Sequence, residues 1–204
     1  FRTSRYNNDL ILNYIIPGRQ PAINYWTFSG GVTSQNQPDI GVSQGEKIGV
    51  SYSTKVIGWL QTISLTLLQE NYNLIDFPGP NIDSEMLMPG VEWQRLQSND
   101  ILRPSKGYSI SIHLIGASKD VISKDSFFQS YIYARNLIPL SKNFRLLLRG
   151  GIGYTEINNI KNLPLSLQLL AGGSNSIRGY GYNSIGPGKG IYTASVELQR
   201  RIKG

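Results

Sequence analysis

The 204-residue chain has no cysteine and a single histidine, His113. Without thiols there is no disulfide framework, no thiolate metal site and no cysteine nucleophile. A lone histidine argues against His-based triads and multi-histidine metal centres, and His113 reads as a polar residue on the wet face of a strand. Charge is scarce too: 16% of the residues are Asp, Glu, Lys or Arg, against about 25% in ordinary soluble domains. Long apolar runs are missing. No segment approaches the roughly 18 consecutive apolar residues of a membrane-spanning helix, and the best candidate, 110–117, is broken by Ser111, His113 and Gly116. A spanning helix is excluded. The opening Phe1-Arg2-Thr3-Ser4-Arg5 has no apolar core, so it does not read as a signal peptide.

What the chain does hold is 22 glycines, 12 tyrosines and three tryptophans, with a net charge of +7. Positive charge raises nucleic acid as a partner class. The basic residues are spread singly, however, with no run longer than Arg200-Arg201. That spacing suits a barrel lumen or anionic lipid heads and speaks against nucleic acid. Low charge with many aromatics and glycines fits a transmembrane β-barrel, in which lipid-facing and lumen-facing residues alternate. A soluble β-sandwich or lipocalin-like barrel has the same alternation, and composition alone slightly favours it because such domains are commoner.

Alternation runs through the whole chain. Tyr108, Ile110, Ile112 and Leu114 alternate with Ser109, Ser111 and His113, a period of two that no helix can use. The pattern recurs at Leu10, Leu12, Tyr14 and Ile16, at Ile48, Val50 and Tyr52, and at Ile63, Leu65 and Leu67. It recurs again at Phe144, Leu146, Leu148 and Ile152 against Arg145, Arg149 and Gly151. The last instance sets Tyr192, Ala194, Val196 and Leu198 against Thr193, Ser195, Glu197 and Gln199. These patterns predict nine strands, at 6–16, 23–34, 45–56, 58–72, 84–96, 107–117, 126–138, 142–155 and 190–203. Most exceed the five or six residues usual in soluble sheets and match the 9–11 needed to cross a bilayer at a tilt.

Short turns at 17–20, 57–58 and 139–142 are expected, with long polar loops at 35–44, 73–83, 97–106 and 156–189. Strand length and loop pattern together decide for an all-β, antiparallel transmembrane barrel over a soluble sheet. Tyr25, Trp26, Trp59, Tyr72, Trp93, Tyr108, Tyr154 and Tyr192 stand near strand ends, where interfacial girdles form. Nine is an odd strand number, and an open sheet edge is not tolerated in lipid. The chain is therefore expected to be a partial barrel, 1–204, cut from a longer protein.

No catalytic constellation is visible. Gly186-Pro187-Gly188-Lys189-Gly190 lacks the spacing of a phosphate loop, and Gly190 stands where a Mg²⁺-binding Ser or Thr is needed. Asp76, Asp83 and Glu85 flank Pro78-Gly79-Pro80, a turn signal and not a calcium loop. The stretch that stands out is 171–187, which carries five glycines and one cation, Arg178, without helical or strand period.

That stretch resembles a known family. Leu169-Leu170-Ala171-Gly172-Gly173, Ser176-Ile177-Arg178-Gly179-Tyr180 and Ser184-Ile185-Gly186-Pro187 look like the sixth extracellular loop of the BamA/TamA superfamily of outer-membrane assembly barrels. The Ser-Ile-Arg-Gly-Tyr form is nearer to the TamA branch than to the BamA branch. Met86-Leu87-Met88-Pro89-Gly90-Val91 and Arg103-Pro104-Ser105-Lys106-Gly107-Tyr108-Ser109-Ile110 resemble two adjoining strands of the same barrels.

The resemblance implies a barrel of about 16 strands, with upstream POTRA domains and the last four strands absent from this chain. It implies a non-enzymatic, cofactor-free component of the Gram-negative outer membrane that inserts or secretes outer-membrane proteins such as autotransporters. Implied partners are the outer-membrane bilayer, unfolded outer-membrane protein substrates and an inner-membrane-anchored TamB-like protein. A BamA-type barrel or a two-partner secretion transporter is the near alternative; a porin or a lipase-fused barrel is more distant. In the family the loop tucks into the lumen behind an Arg-Gly-Tyr tip, here Arg178, Gly179 and Tyr180. Gly172, Gly173, Ser176, Ile177, Gly181, Gly186 and Pro187 support it, with the glycines permitting positive φ and close backbone approach. Glu197, lumenal by alternation, is the expected partner of Arg178, since an enclosed guanidinium needs a carboxylate; a second acid would lie past Gly204. Tyr180 is expected to pack on the lumen wall.

Overall fold

The computed structural model describes residues 2–3, 6–21, 23–77, 79–100, 102, 104–173 and 176–200. Twelve strands follow one another: β1 (Arg2–Thr3), β2 (Asn7–Pro17), β3 (Tyr25–Gln37), β4 (Gly41–Val56), β5 (Trp59–Leu74), β6 (Ile82–Ser98), β7 (Gly107–Ala117), β8 (Phe127–Pro139), β9 (Phe144–Ile157), β10 (Leu169–Ala171), β11 (Ile185–Gly188) and β12 (Gly190–Arg200). Ten of them form one antiparallel meander in the order β1 to β9 and then β12, while β10 and β11 pair as a separate hairpin. The nine long strands expected from alternation are all present; the three short ones carry no periodic signal. Predicted residues 201–203 of the last strand lie outside the described residues.

Register explains why alternation was so regular. Ile48, Leu67 and Leu87 stand side by side on one face, followed by the row Val50, Leu65 and Pro89 and then Tyr52, Ile63 and Val91. On the other face of the same strands lie Gly49, Thr66 and Met88, then Ser51, Ser64 and Gly90. The outward rows stay open, with Leu12, Ile48, Tyr192 and Val196 all more than two-thirds exposed. In water such a surface would collapse or aggregate; in hydrocarbon it is the matched solvent. The polar face lines the interior, where Ser53 and Thr62 hydroxyls lie 2.9 Å apart across β4 and β5.

Turn chemistry closes the hairpins at one end. Ile57-Gly58 joins β4 to β5 with φ of 49° and 79°, the pair of positive angles that a two-residue turn needs to match strand twist. Gly58 adopts this freely, whereas branched Ile57 does so under strain. Connections 18–24, 99–106 and 140–143 open at this same end, and 38–40, 75–81, 118–126 and 158–189 at the other. Two expectations are corrected here. The predicted long loop 35–44 is mostly strand, because β3 and β4 continue as a paired polar hairpin linked by three residues; backbone pairing does not require apolar side chains. The loop predicted at 97–106 belongs with the short turns and not with the long loops.

The girdle expectation is also amended. Trp26 and Tyr52 face outward with ring centroids 4.9 Å apart, and Tyr154 and Tyr192 are exposed on the same surface. Tyr72 points the other way and is 1% exposed, because it shares the inward parity of Leu68 and Glu70. Tyr25 likewise shares the inward parity of its register partner Ser53.

Arginine on the outward row should cost far more than on the inward row. Leu65→Arg is expected to lower the folding free energy of the intact barrel in lipid vesicles by roughly 2–4 kcal/mol. Thr66→Arg should cost less than about 1 kcal/mol. Urea titrations giving equal losses would overturn the facing.

Candidate functional site

The 158–189 connection does not extend outward; it turns back over the interior of the sheet. Its descending half makes two 3-10 turns, Ile160–Asn162 and Leu165–Leu167, the first capped by the Asn159 side chain accepting from Lys161 N–H at 3.2 Å. Leu163 between them and Leu165 at the start of the second are buried to 0% and 1% exposure. Leu163 joins Leu68, Met86, Met88, Phe127 and Ile157 in one cluster, and Leu165 joins Ile40, Tyr72 and Leu74 in a second. The main apolar core of this protein is therefore the contact between a returning loop and the inner strand faces.

Polar pins hold the same segment. Tyr72 Oη donates to Lys161 O at 2.8 Å. Gln129 Nε2 donates to Thr155 Oγ1 at 2.7 Å and to Leu167 O at 2.9 Å. Glu70, 1% exposed, accepts from Ser166 N–H at 3.1 Å and from the Ser166 hydroxyl. A buried carboxylate costs several kcal/mol unless its lone pairs are filled, so Ser166 is held wherever Glu70 stands. Sequence reading missed this pair. The available signal was an acid at 70 on the same parity as Leu68 and Tyr72, a polar residue where alternation calls for burial.

Beyond Gln168 the loop forms a small hairpin. Leu169 pairs with Gly188 and Ala171 with Ile185, and the glycine-rich segment is its tip. Gly172, Gly173, Gly179 and Gly186 take φ of 118°, 91°, 92° and 132°. At Gly172 a Cβ would lie 2.1 Å from Gly181 O, so no other residue fits. Gly181 is not in the left-handed region; it supplies the close approach and accepts from Ser184 N–H at 3.3 Å. Ser176 closes the neck, its Oγ accepting from Gly172 N–H at 2.8 Å and donating to Gly172 O at 3.0 Å. Ile177 is half-buried, and the Gly186–Pro187 bond is cis.

The tip delivers Arg178 to Glu197. Its Nη2 lies 3.2 Å from both Glu197 carboxylate oxygens. The carboxylate is shared: Arg149 on β9 contacts Glu197 Oε1 through Nη2 and donates from Nε to Ser195 Oγ at 3.3 Å. Side-chain exposures of 10% for Arg149, 15% for Glu197 and 64% for Arg178 rank the two contacts. The Arg149 contact is desolvated and strong; the Arg178 contact is wet and worth at most about 1 kcal/mol. Arg149 was not among the residues expected at the site. It had the lumenal parity, but its place beside Glu197 depends on pairing β9 with β12 across a long insertion.

Tyr180 is 59% exposed within this chain, and its carbonyl accepts from Gly173 N–H at 3.2 Å. Tyr182 makes an aromatic contact, stacking on Tyr6 with centroids 5.9 Å apart. His113 stands on the inner face, its Nε2 3.4 Å from Glu92 Oε1. Among the described residues no group of three His, Cys, Asp or Glu side chains is placed to hold a metal.

Glu197→Ala leaves Arg149 and Arg178 facing each other without an anion and should destabilise the intact barrel by about 3 kcal/mol. Arg178→Ala should cost under about 1 kcal/mol; denaturant midpoints that reverse this order would refute the ranking. Leu163→Ala opens a cavity under the loop. A loss of about 2–4 kcal/mol is expected, with faster proteolysis inside 158–189, whereas Tyr180→Ala should change neither.

Comparison with known proteins supplies the family. The model of the Omp85 superfamily domain matches residues 81–204, more than half of the chain. The outer membrane protein assembly factor BamA of Neisseria meningitidis serogroup B is 32% identical over 101 residues, covering 48% of this chain and 12% of that protein. The crystal structure of BamA from Haemophilus ducreyi lacking POTRA domains 1-3 superposes with a TM-score of 0.80 at 18% identity, covering 95% of this chain and 45% of that one. The chain thus spans less than half the length of either, and the structural likeness carries the fold through β2–β5, ahead of the matched family segment. With the family model matching most of the chain and the meander superposing on a BamA barrel, the chain belongs to the Omp85 superfamily as a β-barrel of the Gram-negative outer membrane.

Proposed function

We propose that this chain is barrel sequence from an outer-membrane protein assembly and translocation factor, a non-enzymatic component that helps insert or secrete other outer-membrane proteins. The observation that carries the reading is the 158–189 loop, folded back into the interior with Arg178 on Glu197. A passive pore for small solutes would call for a constricting loop without the Arg-Gly-Tyr tip that this loop carries at Arg178, Gly179 and Tyr180. A barrel whose strands must part and re-pair while substrate strands add by edge pairing needs such a brace, because every unpaired backbone group in hydrocarbon costs several kcal/mol.

Within that reading, Ser176-Ile177-Arg178-Gly179-Tyr180 with Ser184-Ile185-Gly186-Pro187 supports a TamA-like translocation and assembly module. Its substrates would include autotransporters, its partner would be an inner-membrane-anchored TamB-like protein, and POTRA domains and four further strands would complete the molecule. A BamA-type role is the second reading, favoured by the 32% identity to the Neisseria assembly factor.

In the full-length protein, Arg178→Ala should reduce the yield of folded autotransporter by about two- to fivefold, the scale of an exposed ion pair, and should raise protease cleavage in the loop. Unchanged yield together with unchanged cleavage would sink the bracing role. Rescue of a BamA-depleted strain by the full-length gene would move the assignment to the second reading.

A further inference from the structure

The end of the lumen opposite the loop gathers cations, and among the described residues Arg149 alone of them meets a carboxylate. Arg135 on β8 stands in direct cross-strand register with Arg149 on β9, both on the inner face. Like charges placed so are destabilising, and Glu197 relieves only Arg149. Two inward positions toward the turns, Arg145 is half-buried and among the described residues is held by neutral acceptors: Nε donates to Gln199 Oε1 at 2.8 Å and Nη1 to Pro104 O at 2.5 Å. Pro104, between β6 and β7 in sequence, thus reaches Arg145 on β9. Arg135 and Arg145, with Lys142 and Arg200, line a cleft of about 690 Å³ whose described lining includes no carboxylate. Leu137 and Leu147 supply an apolar wall.

We propose that this cleft is a binding site for an extended polypeptide segment that carries carboxylates next to apolar side chains. A guanidinium fixed by two neutral acceptors keeps its full charge and is preorganised for a carboxylate. Side-chain parity decides between partners. Arg135, Leu137, Arg145 and Leu147 face the aqueous interior, whereas Phe144 and Arg200 at the mouth have the outward parity of Leu146 and Leu198, so the body of the cleft is reached from the lumen, where a polypeptide fits better than a phospholipid headgroup. The Leu137 and Leu147 wall adds a preference that inorganic anions cannot satisfy.

Fluorescence anisotropy with the full-length protein in detergent tests this, using a labelled peptide of alternating Glu and Val and its Gln-for-Glu counterpart. The Glu peptide should bind at least about tenfold more tightly than the Gln peptide, and R135Q/K142Q should remove about tenfold of that affinity. Both side chains are exposed, so the barrel should fold, as heat-modifiable gel mobility will report. Arg145→Lys, which keeps the charge but loses the forked geometry, should weaken binding less than R135Q/K142Q. Equal binding of the two peptides, or an unchanged affinity in the folded R135Q/K142Q protein, would overturn the site. So would protection of Lys142 from acylation by phosphatidylglycerol nanodiscs but not by the Glu peptide. Binding is read without an assembly assay, so its failure leaves the assembly role standing.

Discussion

Backbone polarity in hydrocarbon is the constraint on which the rest of this protein depends. A strand crossing lipid must satisfy every N–H and C=O through its neighbours, and β3 to β9 do so from both sides in an unbroken antiparallel ladder that β2 and β12 edge. Once the ladder carries the backbone, side chains are free to sort by solvent. The outside becomes rows of Leu, Ile, Val and aromatics, and the inside rows of Ser, Thr, Gly and scattered charge. The low charge content and the missing apolar runs follow from the same cause, since a face exposed to lipid alternates with one exposed to water.

A polar interior cannot pack by itself, and that gives the 158–189 loop its importance. It brings Leu163 and Leu165 against the inner strand faces and creates most of the buried apolar surface there. Two acids then set its depth. Glu70 holds the descending half through Ser166, and Glu197 receives the tip through Arg178. Their solvation differs sharply. The first contact is buried and rigid, whereas the second is exposed on the arginine side and readily exchanged. A loop fixed at its base and loosely latched at its tip can release the tip without losing the core.

Alternation made the nine long strands, their facing and the lumenal place of Glu197 legible from residues alone, because lipid and water impose a period of two with few exceptions. The failures have separate reasons. The polar hairpin of β3 and β4 beyond the lipid belt has no hydrophobic period, since backbone pairing suffices there, so it read as a loop. Tyr72 was placed by its closeness to a strand end, when parity with Leu68 pointed inward. Arg149 and Ser166 touch their acids only through pairings between distant segments.

The sequence by itself determined the architecture and the chemistry of the loop tip. Period-two hydropathy, turn residues such as Ile57-Gly58 and the cluster of glycines around Arg178 are local properties, written within a few residues of one another. Only the tertiary structure decided who meets whom. Pairing of β9 with β12 across the long insertion set Arg149 beside Glu197, and the return of the loop set Ser166 on Glu70. Register across an insertion is fixed by backbone hydrogen bonding and burial in three dimensions, and no local pattern records it.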